Sequence, residues 1–257
     1  MAFDELYDRE TLTTREYANP DRLGARMALY EYRDPPHDIV GSAVRLLRDA
    51  PGPVLDVGCG PGHYCAALRA DRPDRPVFGA DLSMGMLAAT GPPALAADAA
   101  ALPVRAGFCG AVLAMHMLYH VPEPEAAVAE LARVRAPGGT VLLSTNAPDD
   151  KRRVRDLHAE VVRELTGGPV VRDVSRRFDL DHGERVARRH FRTVERLDFR
   201  GTIAAPDPEP VMRWLGSMST VDLTPAVLDE VRARIAATIT REGAYRFGVH
   251  SGFLVCR

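Results

Sequence analysis

The stretch VLDVGCGPGHY, Val54 to Tyr64, decides the fold. It opens with apolar Val54, Leu55 and Val57, which read as a buried strand, and then sets Gly58, Gly60 and Gly62 at every second position. A strand that stops in a glycine-rich turn and passes into a helix offers bare backbone, free N–H groups and a positive dipole to a ligand. Three kinds of ligand use that geometry. A phosphate-binding P-loop needs Gly-Lys-Ser/Thr, and GPGHYC holds no lysine. A dinucleotide fingerprint needs G-x-G-x-x-G, and the sixth position counted from Gly58 is His63. What remains is D-x-G-x-G-x-G, Asp56 to Gly62, in which an acid ends the strand.

Outward from this stretch the chain alternates. Strands are expected at 54–57, 77–80, 110–115 and 140–145, with helices at about 62–70, 83–90 and 123–135 between them. Such alternation argues for βαβ units and a parallel sheet. Before it, PDRLGARMALYEY and DIVGSAVRLLRD read as helices separated by Pro35-Pro36. After it, residues 150–190 read as charged helices broken at TGGP, 193–204 as a strand, and TPAVLDEVRARIAATIT as a helix capped by Thr224 with Pro225 first. The final YRFGVHSGFLVCR reads as a strand.

The ordered set of segments resembles the class I S-adenosylmethionine-dependent methyltransferases, in the branch of the ubiquinone and menaquinone biosynthesis enzymes and of many bacterial small-molecule methyltransferases. VLDVGCGPGHY matches the first motif, VFGADLSMGML the second-strand motif, ADAAALPV the adenine-side segment, LAMHMLYHVPEPEAAVAELARV the segment after the fourth strand, and PGGTV the turn into the fifth. Cys109 stands where relatives commonly have Asp, and Arg135-Ala136 where Leu-Lys is usual. These departures bear on subfamily. The resemblance implies an α/β, Rossmann-like fold with a seven-stranded, mostly parallel sheet and one antiparallel strand. Within one domain it implies a helical N-terminal lid (1–50), a cofactor core (51–148), a substrate cap (149–192) and completion of the sheet (193–257).

For the cofactor, S-adenosyl-L-methionine with S-adenosyl-L-homocysteine as product, the resemblance assigns Gly58, Cys59, Gly60 and Gly62 to the turn and Asp81 to the ribose. Asp98 goes to the adenine amino group and Ala99 to the ring, with Leu82 and Met86 as apolar walls and Met115 at the end of the fourth strand. Asp56 orients the loop and the methionine ammonium, and Tyr17 or Arg26 of the N-terminal helix meets the methionine carboxylate. Methyl transfer needs an aligned nucleophile and a dry site, with a base where the nucleophile carries a proton. His116, Tyr119 and His120 in MHMLYH are the candidate bases, His120 doubling as a pin for the loop before Val121-Pro122. Tyr30 of the lid faces the acceptor.

From Lys151 to Arg192 the chain holds 12 Lys and Arg against 7 Asp and Glu. Arg152, Arg176 and Arg177 in this cap are candidate contacts for an anionic acceptor such as a carboxylate or prenyl diphosphate. Lys151 is the single lysine among 33 basic residues. The net charge of −2 gives no reason to expect nucleic-acid binding. No apolar run is long enough for a membrane span, and MAFDELYDRE is too acidic for a leader, so a cytoplasmic protein, monomer or homodimer, is expected. The four scattered cysteines form no metal-binding pair, and the acids and histidines of DLDHGERVARRH read as surface, so no metal is expected. The expected function is methyl transfer to O, N or C of a small molecule in bacterial specialised metabolism. The rivals are a tRNA or rRNA methyltransferase and a non-catalytic binder of S-adenosylmethionine.

Overall fold

The computed structural model describes residues 9–18, 20–168, 174–218 and 223–257. Most of MAFDELYDRE, and residues 169–173 of the expected cap, lie outside the described residues. The chain enters through α1 (Arg9–Thr11), a π-helical turn at Leu12–Glu16, α2 (Asp21–Ala28) and a 3₁₀ turn at Leu29–Tyr32. There follow β1 (Arg33–Asp34), α3 (Ile39–Leu47), β2 (Val54–Val57), α4 (His63–Asp71), β3 (Val77–Asp81), α5 (Met84–Thr90), β4 (Ala94–Ala96), β5 (Cys109–Met115), α6 (Pro124–Val134) and β6 (Arg135–Asn146). Next, α7 (Arg152–Thr166) and α8 (Leu180–His190) precede β7 (Val194–Ala205), and α9 (Glu209–Gly216) and α10 (Pro225–Glu242) separate β7 from β8 (Tyr245–Cys256).

All strands join one sheet in the order β1-β7-β8-β6-β5-β2-β3-β4. From β6 to β4 every pair is parallel, whereas β8 is antiparallel to β6 and β7, and β1 is antiparallel to β7. The sheet therefore has eight strands instead of the seven expected, and β1 and β8 both run against the rest. β1 is two charged residues with no alternation to read, held at the edge by pairing Arg33 with Ile203. β4, three residues of Ala-Leu-Ala, lacks the β-branched and aromatic residues that mark a strand.

Burial on both faces explains the apolar run of β5, the centre of the parallel part. On one face Leu55, Val112 and Leu143 pack against Leu131 of α6 and Val186 of α8. On the other Val54, Leu113 and Leu142 pack against Leu47 of α3 and Leu68 of α4. α10 starts as expected, Thr224 Oγ1 accepting from the Val227 amide, and buries Val227, Val231 and Ile235 beside α7 and α9. The carboxyl ends of β2, β3, β5 and β6 thus open side by side, where open α/β sheets bind ligands.

Candidate active site

At the end of β2 the chain turns back under β3: the amides of Gly58 and Cys59 both donate to Ala80 O, at 2.7 and 3.0 Å. Gly58, Gly60 and Gly62 all take positive φ, at 67°, 53° and 84°, which side chains disfavour. A Cβ on Gly58 would stand 2.6 Å from Met117 Cγ and one on Gly62 2.8 Å from Thr90 Cγ2, so both glycines admit packed neighbours. Gly60 differs, with nothing nearer than Leu23 Cδ2 at 3.9 Å. That open backbone is where a ligand can approach closely. α4 follows with no capping side chain, so its first amides are available.

Two carboxylates flank the turn. Asp81, at the end of β3, accepts from the Gly60 amide through Oδ2 at 2.9 Å and from the Ser83 amide through Oδ1 at 2.8 Å. Each oxygen keeps a lone pair, which suits the two hydroxyls of a ribose. Burial raises the Asp81 pKa, and the amides of Ser83, Gly60 and Leu82 oppose that rise. Asp56 is fully buried; its Oδ2 accepts from Cys65 Sγ at 3.4 Å and its Oδ1 has no partner. Burial, with Asp81 nearby, pushes its carboxyl up to about 7. An orphaned buried oxygen beneath an open glycine turn, beside a carboxylate with spare lone pairs, fits a ligand carrying a ribose and an ammonium.

The remaining nucleoside-side candidates lie along the same edge. The Ala97 amide donates to Asp81 O at 3.0 Å, which sets Asp98 and Ala99 next to the end of β3. Asp98 is exposed and its Oδ1 accepts from the Ala100 amide, while Ala99 is buried. Leu82 is half-buried and Met86, 1% exposed, faces the interior beneath α5.

Tyr17, Ala18 and residues 20–28 cross this end of the sheet. Tyr17 O accepts from Ser83 Oγ at 2.7 Å, and the Tyr17 hydroxyl lies 2.6 Å from His120 Nε2. Arg26 donates to that hydroxyl at 2.9 Å and to Ser217 O at 2.7 Å. Burial and the Arg26 charge lower the His120 pKa to about 3, so a neutral ring pairs with the Tyr17 hydroxyl. Tyr119 packs edge-on to His120 with ring centroids 4.5 Å apart. Tyr17, Arg26, Tyr119 and His120 are therefore one cluster.

His116 follows Met115 of β5 with φ 53°, its Nε2 2.9 Å from Ser144 Oγ. Burial, aided by Lys151, lowers its pKa to about 4, leaving a neutral imidazole able to take a proton. Tyr30 reaches Lys151, whose Nζ donates to its hydroxyl at 2.8 Å and to Asp150 Oδ2 at 2.6 Å. Ser144, Asp150 and Lys151 carry no motif, and the sequence pointed here only through Tyr30 and His116. The cap arginines are not gathered with them. Arg152 lines a cleft of about 470 Å³ between α7 and α10 with Arg153, Glu160 and Arg234. Arg176 is exposed and Arg177 half-buried in the 3₁₀ turn Val174–Phe178, which packs against Leu118–His120. Among the described residues no group of His, Cys, Asp and Glu is arranged to hold a metal ion, and no helix is long and apolar enough to cross a membrane.

Residues 55–143 match the methyltransferase domain family. A malonyl-[acyl-carrier protein] O-methyltransferase of Laribacter hongkongensis is 29% identical over 171 residues, covering 60% of this chain and 51% of that protein. The ubiquinone/menaquinone biosynthesis C-methyltransferase of Syntrophotalea carbinolica is 34% identical over 112 residues, 40% and 47% of the two chains. The chain thus spans about half the length of these curated relatives. Among solved structures, a candidate methyltransferase of Bacillus halodurans superposes with TM-score 0.59 at 20% identity, covering 84% of this chain and 97% of that one. Glycine turn, strand order and matched residues agree: residues 55–143 match a methyltransferase domain, and the chain has the α/β, Rossmann-like methyltransferase fold.

Proposed function

We propose that the protein transfers the methyl group of S-adenosylmethionine to an oxygen, nitrogen or carbon of a small molecule. The observation that carries this reading is Asp81, bonded to the Gly60 amide with two lone pairs to spare beside the open Gly60 backbone, together with the orphaned Oδ1 of buried Asp56 in β2. Bound there, S-adenosylmethionine would supply an electrophilic methyl, the electron pair of its carbon–sulfur bond passing to sulfur as the acceptor bonds the methyl. Asp81 would hold the ribose, Asp56 the methionine ammonium, and the Asp98-Ala99 loop the adenine. Residues 17–28 act as a lid, tied down through Tyr17, Arg26 and His120. His116, neutral but a weak base because burial lowers its pKa to about 4, is the side chain placed to receive the acceptor's proton where there is one. The relatives named above are an O-methyltransferase of malonyl-[acyl-carrier protein] and a C-methyltransferase of ubiquinone/menaquinone biosynthesis, so the acceptor itself is left to measurement.

The test is transfer of tritium from S-adenosyl-[methyl-³H]methionine into product across a panel of phenols, amines and carboxylates. Incorporation that depends on Asp81 supports the reading. Binding of S-adenosylmethionine without transfer to any acceptor would instead mark a cofactor-binding protein without this activity.

A further inference from the structure

Among the described residues only two other than glycine take positive φ, His116 at 53° and Lys151 at 51°. His116 directly follows the carboxyl end of β5, and Lys151 comes five residues after that of the adjacent parallel strand β6. Strain of this kind persists only where the surroundings hold it, and it concentrates at functional sites. Lys151 is 3% exposed, an unusual place for the one lysine in an arginine-rich chain. Its ammonium donates to Asp150 and Tyr30 and stands 5.0 and 5.6 Å from the ring centroids of Tyr30 and Trp214. Those contacts use two of its three N–H donors.

The neighbours make the region positive. Asp150 is the buried carboxylate that balances Lys151, and its other oxygen accepts from the His250 amide at 2.8 Å. Arg33, 9% exposed and electrostatically coupled to Tyr30 and Asp150, has no carboxylate partner among the described residues. Lys151 and Arg33 against Asp150 leave one positive charge buried. Asn146 ends β6 two residues beyond Ser144, hence on the same face of the sheet as the side chain that meets His116, and its Oδ1 is buried without a partner. Orphaned buried polar atoms are costly unless something meets them.

We infer that Lys151 and Tyr30 form the acceptor subsite, and that it takes a small monocarboxylate with an apolar body; Asn146 Oδ1, itself an acceptor, takes no part in holding the carboxylate. The ammonium and the phenol hydroxyl receive the carboxylate, and the rings of Tyr30 and Trp214 cover the apolar part. One excess charge matches a monoanion; a diphosphate would need more. Entry requires Tyr30, and the segment that carries it, to move off Lys151. The subsite rests on the methyltransferase reading, since it is defined by the end of the sheet at which the cofactor is placed.

The experiment titrates benzoate and cinnamate, and the corresponding amides, into the full chain saturated with S-adenosylhomocysteine, for wild type, Lys151→Met and Tyr30→Phe. The expected result is binding of the carboxylates at least about tenfold tighter than the amides. Lys151→Met should lose that tenfold, the scale of one charge-assisted hydrogen bond, while its affinity for S-adenosylhomocysteine stays within about twofold. Tyr30→Phe keeps the buried ion pair, and so tests the subsite even if Lys151→Met does not fold; it should weaken the carboxylates about threefold or more. Equal binding of acids and amides, unchanged carboxylate binding in the variants, or no carboxylate binding to the loaded wild type would overturn the subsite alone. Failure of S-adenosylhomocysteine to bind wild type would remove the methyltransferase reading and the subsite with it.

Discussion

At the scale of single residues, three buried groups make stability depend on pH with opposite signs. The folded-state pKa of Asp56 is raised by burial to about 7, above the ordinary aspartate value, so the folded chain takes up this proton first and gains stability as pH falls from 7 towards 4. For His116 and His120 burial lowers the folded values to about 4 and 3, so the unfolded chain protonates first and stability is lost below about pH 6.5. Around them stand Ser144, Lys151 and Asp150 for His116, Tyr17, Arg26 and Tyr119 for His120, and Cys65, Asp81 and Arg69 for Asp56. Two losses against one gain predict a net fall between pH 6.5 and 4, each group contributing up to about 1.4 kcal/mol per pH unit. Urea unfolding over that range should show a steeper fall in Asp56→Asn and a shallower one in His120→Asn; identical slopes in all three would refute the burial argument. The glycines and Asp81 were legible in sequence because backbone geometry demands their type. Lys151 was not, because its role depends on Tyr30, 121 residues away in the chain.

Among the elements, the N-terminal segment is held by few bonds that converge on one guanidinium. Arg26 ties Tyr17, and through it His120, to Ser217 beside α9. Arg26→Ala should therefore speed amide exchange across residues 20–32 by about tenfold or more while leaving β5 and β6 unchanged, a contrast that hydrogen-exchange mass spectrometry resolves. Uniform protection in the variant would mean that the segment is fixed by apolar packing alone. α10 offers a simpler case: Thr224→Ala removes the side-chain cap on the Val227 amide and should cost about 1 kcal/mol in unfolding free energy, with no effect on cofactor binding. That helix was readable from its cap, its proline and its period-four core. α9 was not picked out as a helix in the sequence, since EPVMRWLG is short and its buried face includes Pro210.

Across the whole molecule, the parallel half of the sheet was legible because buried strands and helices alternate there with short turns. The antiparallel half was less so: β7 and β8 could be read as late strands, but the eighth strand β1 arises only when Arg33 and Asp34 meet β7. The cap shows the limit of charge counting. Arg188 pairs with Glu184 and Arg189 with Glu125, so part of the apparent basic surface is neutralised locally. Exposed pairs of this kind add little stability. The positive charge that matters to the acceptor subsite is instead buried, at Lys151 and Arg33. The account as a whole rests on the glycine turn holding S-adenosylmethionine against Asp81. Isothermal titration of S-adenosylhomocysteine into wild type and Asp81→Ala tests this most directly. The account predicts one site in wild type and a loss of affinity of at least about tenfold in Asp81→Ala. No binding to wild type, or equal binding to both, would contradict it.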